Sequence, residues 1–283
     1  MSHTAKYQIS PYNSDIVFSP GDIPPDLRKL VEKGSQIERK RHPDYPIGIW
    51  FDNVRVHTIR CALSAQNLAL PSSLEPVKSP MVRTLWIHDL PEVVSSLDIG
   101  YDTSAVVKED EPAVAAKISE NENAIAKKIL KDSDYELFKQ FELANTFLDG
   151  KASQPAAQPA AYGARIIDIG DAEMCFYHFL TAWLIHDSFD GRMPTERPYR
   201  FTMNRYSTYL ANCEGLANVL PKGLQPLYLD QLLGQITYIS DRWALVEKQR
   251  PGLMPEIAKE HVAHLRRLLQ DYPLEPKKGS KKP

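Results

Sequence analysis

Ala164-Arg-Ile-Ile-Asp-Ile-Gly-Asp-Ala-Glu-Met-Cys-Phe-Tyr-His178, running on through Phe179, Leu180, Trp183 and Leu184, decides the fold. The stretch is too long and too uniformly apolar for a strand, and no proline interrupts it, so it reads as one long helix buried on most sides. It carries two acids, Asp168 and Asp171, one turn apart. A carboxylate in such surroundings needs a partner. Either Asp168 pairs with Arg165 and Asp171 lies toward the surface, or Asp171 serves a buried site.

Outward from this 163–187 helix, helical patterns fall near 53–69, 80–97, 112–130 and 133–148, then near 203–218, 225–249 and 254–271. A Pro-rich irregular stretch to Pro25 and a charged helix from about 26 to 40 come first, the latter ended by Pro43 and Pro46. Asp52 or Asn53 suits the N-cap of the 53–69 helix. Pro91 falls inside the 80–97 helix, where it frees a carbonyl and bends the chain. Alternating strand patterns are scarce, so the fold class is all-α. In the last helix Ile257, Val262, Leu265, Leu268 and Leu269 form an apolar stripe that fits either the core or another subunit.

Chemistry concentrates in Arg83-Thr-Leu-Trp-Ile-His-Asp-Leu-Pro-Glu-Val-Val94. On a helix His88, Asp89 and Glu92 lie toward one side, within an otherwise apolar run. Burying them without partners costs roughly several kcal/mol. A divalent cation removes that cost, because it accepts imidazole nitrogen and carboxylate oxygen together and can polarise water for hydrolysis. The plain alternative is a helical first turn with solvated acids. His57, on the apolar-patterned 53–69 helix, alone reads as a core histidine and gains meaning only beside His88. The second dipeptide, His186-Asp187, ends its helix, where the dipole favours the histidine and the aspartate opens a turn. His261 and His264 lack a neighbouring acid face.

The order His57, His88-Asp89, Asp171 resembles the H…HD…D signature of the HD-domain metal-dependent phosphohydrolases, and most closely their bacterial 5'-deoxynucleotidase branch. Asn53-Val-Arg-Val-His-Thr58, His88-Asp-Leu-Pro-Glu-Val-Val94 and Ile167-Asp-Ile-Gly-Asp-Ala172 carry the likeness, and Asn123–Leu130 with Tyr135–Phe138 match its intervening helices. The resemblance spans about residues 39–186. It implies an all-α HD-domain helical bundle over 39–190, with an N-terminal segment (1–38) and a C-terminal helical extension ending in a basic tail (191–283). It implies one divalent metal ion (Mn, Co, Mg, Fe or Zn) held by His57, His88, Asp89 and Asp171, with Glu142 a weaker choice for the last ligand. It further implies Glu92 as the catalytic carboxylate, Arg41 as the phosphate clamp with Arg39 and Arg55 as competitors, and a homodimer.

Departures from the branch are local. Arg55 and Val56 stand just before His57, where the branch has an acid. Ser95-Ser96-Leu97-Asp98 replaces a Gly-Asp pair, with Asp98 displaced by one residue into the acid's place. Lys151-Ala-Ser-Gln-Pro-Ala-Ala-Gln-Pro-Ala-Ala161 reads as an insertion (about 150–162) that drapes over the pocket or forms a surface loop.

Composition excludes other classes. The chain has 283 residues, 43% hydrophobic and 25% charged, with a formal net charge of −2, which gives no general footprint for nucleic acid. No apolar run reaches the roughly 18 residues of a membrane span. Met1–Gln8 lacks the apolar core of a signal peptide, and Cys61, Cys175 and Cys213 read as reduced thiols, so a cytoplasmic protein is expected. The expected activity is metal-dependent release of phosphate from a (deoxy)nucleoside 5'-monophosphate. The alternatives are a triphosphatase or phosphodiesterase of the same superfamily, or a non-catalytic nucleotide-binding module.

Overall fold

The structure, a computed structural model, describes residues 22–39, 52–95, 112–186 and 196–272. Arg41, Asp98 and Asp187 lie outside the described residues. The fold is all-α: helices α1 (Arg28–Lys33), α2 (Val54–Gln66), α3 (Glu75–Ile87), α4 (Leu90–Ser95), α5 (Pro112–Ile129), α6 (Asp132–Leu148), α7 (Pro159–Ile185), α8 (Glu196–Gly215), α9 (Leu224–Gln249) and α10 (Glu256–Asp271). The charged helix expected over 26–40 is shorter. After α1 the chain tightens into a 3-10 turn, and Glu38–Arg39 then pairs antiparallel with Asp52–Asn53.

α7 is the axis of the molecule. It begins with Pro159 in its first turn, where a missing N–H costs nothing, and buries residues on every side from Ala160 to Leu184. Against it pack α2, α3, α6 and α9. One contiguous core runs from Ile23 to Leu268, so α8–α10 share the interior with the helices before them. The α10 stripe faces this core: Val262, Leu265 and Leu268 are buried, and Ile257 and Leu269 pack at its edge.

Two glycines let α9 come close to α7. Gly163 and Gly170 are seven residues apart, as are Tyr228 and Gln235 opposite them. A methyl group on Gly163 would meet the Tyr228 hydroxyl at 2.6 Å, and one on Gly170 would meet the Gln235 amide nitrogen at 2.1 Å. In the space so provided Tyr228 donates to the Pro159 carbonyl at 2.8 Å, and Gln235 donates to the Ile166 carbonyl at 2.9 Å.

Two local breaks place the functional side chains. Asn53 caps α2, its side chain accepting from Val56 N–H at 3.0 Å, and this fixes the rotation that turns His57 inward. The continuous helix expected over 80–97 is instead two. α3 stops at Ile87, His88 N–H still reaches the Thr84 carbonyl, and α4 restarts on the Asp89 carbonyl, which accepts from Glu92 N–H at 3.1 Å. Pro91, lacking the N–H that would bond the Ile87 carbonyl, is tolerated in the first turn of the new helix. His88 and Asp89 occupy the junction.

The segment 151–158 is tied down at its ends. Lys151 N–H bonds the Thr146 carbonyl, Ala157 N–H the Tyr162 hydroxyl and Gln158 N–H the Gln140 side chain. These bonds join it to α6 and the start of α7. No helix among the described residues is long and apolar enough to cross a membrane.

Candidate metal centre

His57 from α2, His88 and Asp89 from the α3–α4 junction, and Asp168 from α7 converge in the interior, all of them buried. His57 Nε2 lies 3.3 Å from His88 Nε2, 3.0 Å from Asp168 Oδ1 and 3.6 Å from Asp89 Oδ2. His88 Nε2 lies 3.3 Å from Asp89 Oδ1 and 3.5 Å from Asp168 Oδ1.

The other ring nitrogens fix the tautomers. His88 Nδ1 sits 2.9 Å from the Leu85 carbonyl, which can only accept, so Nδ1 carries the proton and Nε2 a lone pair. His57 Nδ1 sits 2.7 Å from Asp171 Oδ2. Burial pushes the Asp171 carboxyl up, but the Arg60 guanidinium, bonded to it at 2.9 and 2.7 Å, together with His57 brings it well below the usual carboxylate range. Asp171 is therefore an acceptor and His57 Nδ1 the donor to it; in a neutral His57 ring Nε2 is then the nitrogen that a cation, in place of a proton, would occupy opposite Asp168. Asp168 behaves likewise: burial raises it, while the Arg165 charge and its histidine contacts outweigh burial and hold it ionised.

The two imidazole Nε2 atoms thus face each other, and each faces Asp89 and Asp168. A proton could serve the His57–Asp168 pair alone. Two histidines that share the same two carboxylates favour a cation. Ligands bonded at about 2.1 Å stand roughly 3.0 Å apart at neighbouring octahedral positions and roughly 3.4 Å apart in a tetrahedron; separations of 3.0, 3.3 and 3.3 Å fall in that band, and those of 3.5 and 3.6 Å lie just beyond it. With both histidines neutral, the three carboxyls of Asp89, Asp168 and Asp171 face two guanidinium groups, those of Arg60 and Arg165, so a cation would complete the charge balance. The group His57, Cys61, His88 and Asp168 could therefore hold a metal ion. Within it, the Cys61 sulfur lies 3.7 and 3.6 Å from the two nitrogens of His57, a position over the ring rather than in line with either lone pair. Burial and the nearby Asp171 and Asp168 push its thiol up, which disfavours thiolate.

The expected residues part ways in the structure. His57, His88 and Asp89 come together. Asp171, preferred from sequence as the fourth metal ligand, stands behind His57 and is gripped by Arg60; Asp168 takes the converging position. Glu92 lies on α4, half-buried, with one carboxylate oxygen shielded from solvent. Arg55 is turned to α1, its guanidinium on Glu32 at 2.7 and 3.3 Å. Glu142 is half-buried beside Phe141, which meets the His88 ring edge-on at 5.4 Å.

Arg60 escaped the sequence reading. The signal was its spacing: His57 and Arg60 are three apart on α2, as Asp168 and Asp171 are on α7, so two complementary pairs meet where the helices cross. His261 is a core residue, stacked on Tyr177 at 5.0 Å.

Comparison with known proteins returns no matching family model, no similar curated protein and no similar solved structure.

Proposed function

We propose that the chain is a metal-dependent phosphohydrolase of the HD-domain type, acting on a nucleotide and releasing phosphate from a (deoxy)nucleoside 5'-monophosphate. The observation that carries this reading is the convergence of His57 Nε2, His88 Nε2, Asp89 and Asp168 Oδ1, with each histidine's second nitrogen engaged by a fixed acceptor. A His₂Asp₂ set of imidazole and carboxylate donors suits Mn, Fe, Co or Zn, and an ion that takes five or six ligands there would keep positions for exogenous oxygen. A divalent cation held there supplies Lewis acidity for phosphoryl oxygens and lowers the pKa of water. The resemblance of the three sequence blocks to the 5'-deoxynucleotidase branch selects the substrate class.

The chain's own residues then divide the work. Asp171, clamped by Arg60, holds the His57 proton on Nδ1, and the Leu85 carbonyl does the same for His88; both keep Nε2 available as a ligand. Glu92, one turn after Asp89, is assigned the role of the carboxylate that takes and returns a proton. The apolar surroundings of Leu85, Ile87 and Phe141 keep the local dielectric low and strengthen these interactions.

The test is metal analysis of the purified chain, followed by phosphate release from a nucleotide panel with added Mn²⁺, Co²⁺ or Mg²⁺. Bound metal, orthophosphate from a monophosphate, and a loss of about 10²–10⁴-fold in Glu92→Gln are expected. Tripolyphosphate or a ring-opened monoester as product would reassign the substrate within the superfamily. Full metal content in His88→Ala, or no turnover of any nucleotide by metal-loaded protein, would overturn the proposal.

A further inference from the structure

Resting on the metal reading above, a second arrangement reaches beyond the ligands. Asp168 uses its two oxygens differently. Oδ1 faces His57 and His88, while Oδ2 is taken by Arg165 Nη1, one turn earlier on α7. That guanidinium is itself fixed: its Nε donates to the Tyr209 hydroxyl at 3.0 Å, its Nη2 lies 3.9 Å from Asp149 Oδ1, and it stands over the Phe141 ring at 5.8 Å.

The direction of each hydrogen bond follows from what each atom can do. Asp149 follows the last turn of α6, and burial raises its carboxyl, but the cations Arg165, Arg205 and Lys151 bring it down to about 2, so it accepts. Tyr209, fully buried on α8, gives its one proton to Asp149 Oδ1 at 2.9 Å. Its oxygen is then left only the acceptor role toward Arg165. A continuous chain therefore runs Asp149, Tyr209, Arg165, Asp168, from the end of α6 through α8 into the cluster.

A carboxylate free to turn can grip a cation with both oxygens. One whose Oδ2 is held by a guanidinium offers a single oxygen in a fixed direction. We propose that Tyr209 and Asp149 are positioning residues that hold Arg165 on Asp168 Oδ2, so that Asp168 presents only Oδ1 to a divalent cation and α8 becomes part of the metal centre.

The test is Co²⁺ titration of the full chain, read as the dissociation constant and the visible d–d band. The variants are Arg165→Gln, Tyr209→Phe and, as control, Tyr228→Phe, which deletes a comparable buried hydroxyl bond from α9 to the Pro159 carbonyl. Wild type should bind one Co²⁺. Arg165→Gln and Tyr209→Phe should weaken binding by roughly 10–100-fold and shift the band, while Tyr228→Phe changes neither. A folded Tyr209→Phe protein with wild-type affinity and band overturns the inference alone, as does a Tyr228→Phe protein weakened to the same degree. Wild type that binds no Co²⁺ overturns the metal centre first and the inference with it. If Arg165→Gln does not fold, Tyr209→Phe, which keeps the ring and its packing, decides.

Discussion

Gly170→Ala sets two physical effects against each other. Intrinsic propensity favours alanine in a helix interior by about 1 kcal/mol, so an isolated α7 would gain stability. In the folded chain the new methyl would stand 2.1 Å from the Gln235 amide nitrogen and 2.4 Å from its carbonyl carbon. Gln235 is buried and cannot swing into solvent. It must give up its bond to the Ile166 carbonyl and the one it accepts from the Tyr206 hydroxyl at 3.2 Å. Leaving the amide and the Tyr206 hydroxyl buried without partners costs about 1–3 kcal/mol each, and overpacking adds about 1–3 kcal/mol. Destabilisation therefore wins by roughly 2–8 kcal/mol, which lowers Tm by at least about 4–8 °C for a chain of this size. Thermal and urea unfolding followed by circular dichroism measure it, with two companions. Gly215→Ala, whose methyl meets nothing closer than 3.9 Å, should be neutral, and Gly170→Ala with Gln235→Ala should recover part of the loss. A Gly170→Ala protein as stable as wild type would refute the close approach of α9 to α7.

Three further outcomes follow from the cluster and the core. Asp168→Asn should abolish most metal content, whereas Asp171→Asn should retain it with affinity weakened roughly 10–100-fold; inductively coupled plasma analysis after dialysis separates them. Saturating Mn²⁺ at about 1,000 times its dissociation constant should stabilise the chain by about 4 kcal/mol, read as a Tm rise that His88→Ala lacks. Burial, with a smaller push from His264, brings His261 down to about 3, well below the ordinary histidine value near 6.5. The unfolded chain therefore takes up that proton first as pH falls. The native state keeps its full stability above about pH 6.5 and loses about 2 kcal/mol by pH 5, a loss that His261→Phe should remove in denaturant titrations at the two pH values.

The helices were legible because apolar spacing survives tertiary context: α7, α9 and α10 begin and end within a few residues of their expected positions. The break between α3 and α4 was not, because Pro91 is compatible both with a kink and with a new first turn, and only the packing of α4 selects the second. Within the site, the two histidines and Asp89 could be singled out as polar groups in apolar runs. The choice between Asp168 and Asp171 could not, since both lie on one side of α7. It is made by Arg60, more than a hundred residues away, which binds Asp171, and by the space beside His88 that Asp168 fills. The 38–39 and 52–53 pairing is too short to leave an alternating pattern.

The converging side chains come from positions 31 and 111 residues apart. In the unfolded chain a cation finds only the adjacent His88-Asp89 pair, a poor chelate. The full set exists once α7 has docked on α2 and the α3–α4 junction, after the entropy of closing a long loop has been overcome. A cation held there would act as a reversible cross-link among three helices. Its uptake during refolding would time the docking of α7, and chelation would loosen the molecule at its axis rather than at its rim.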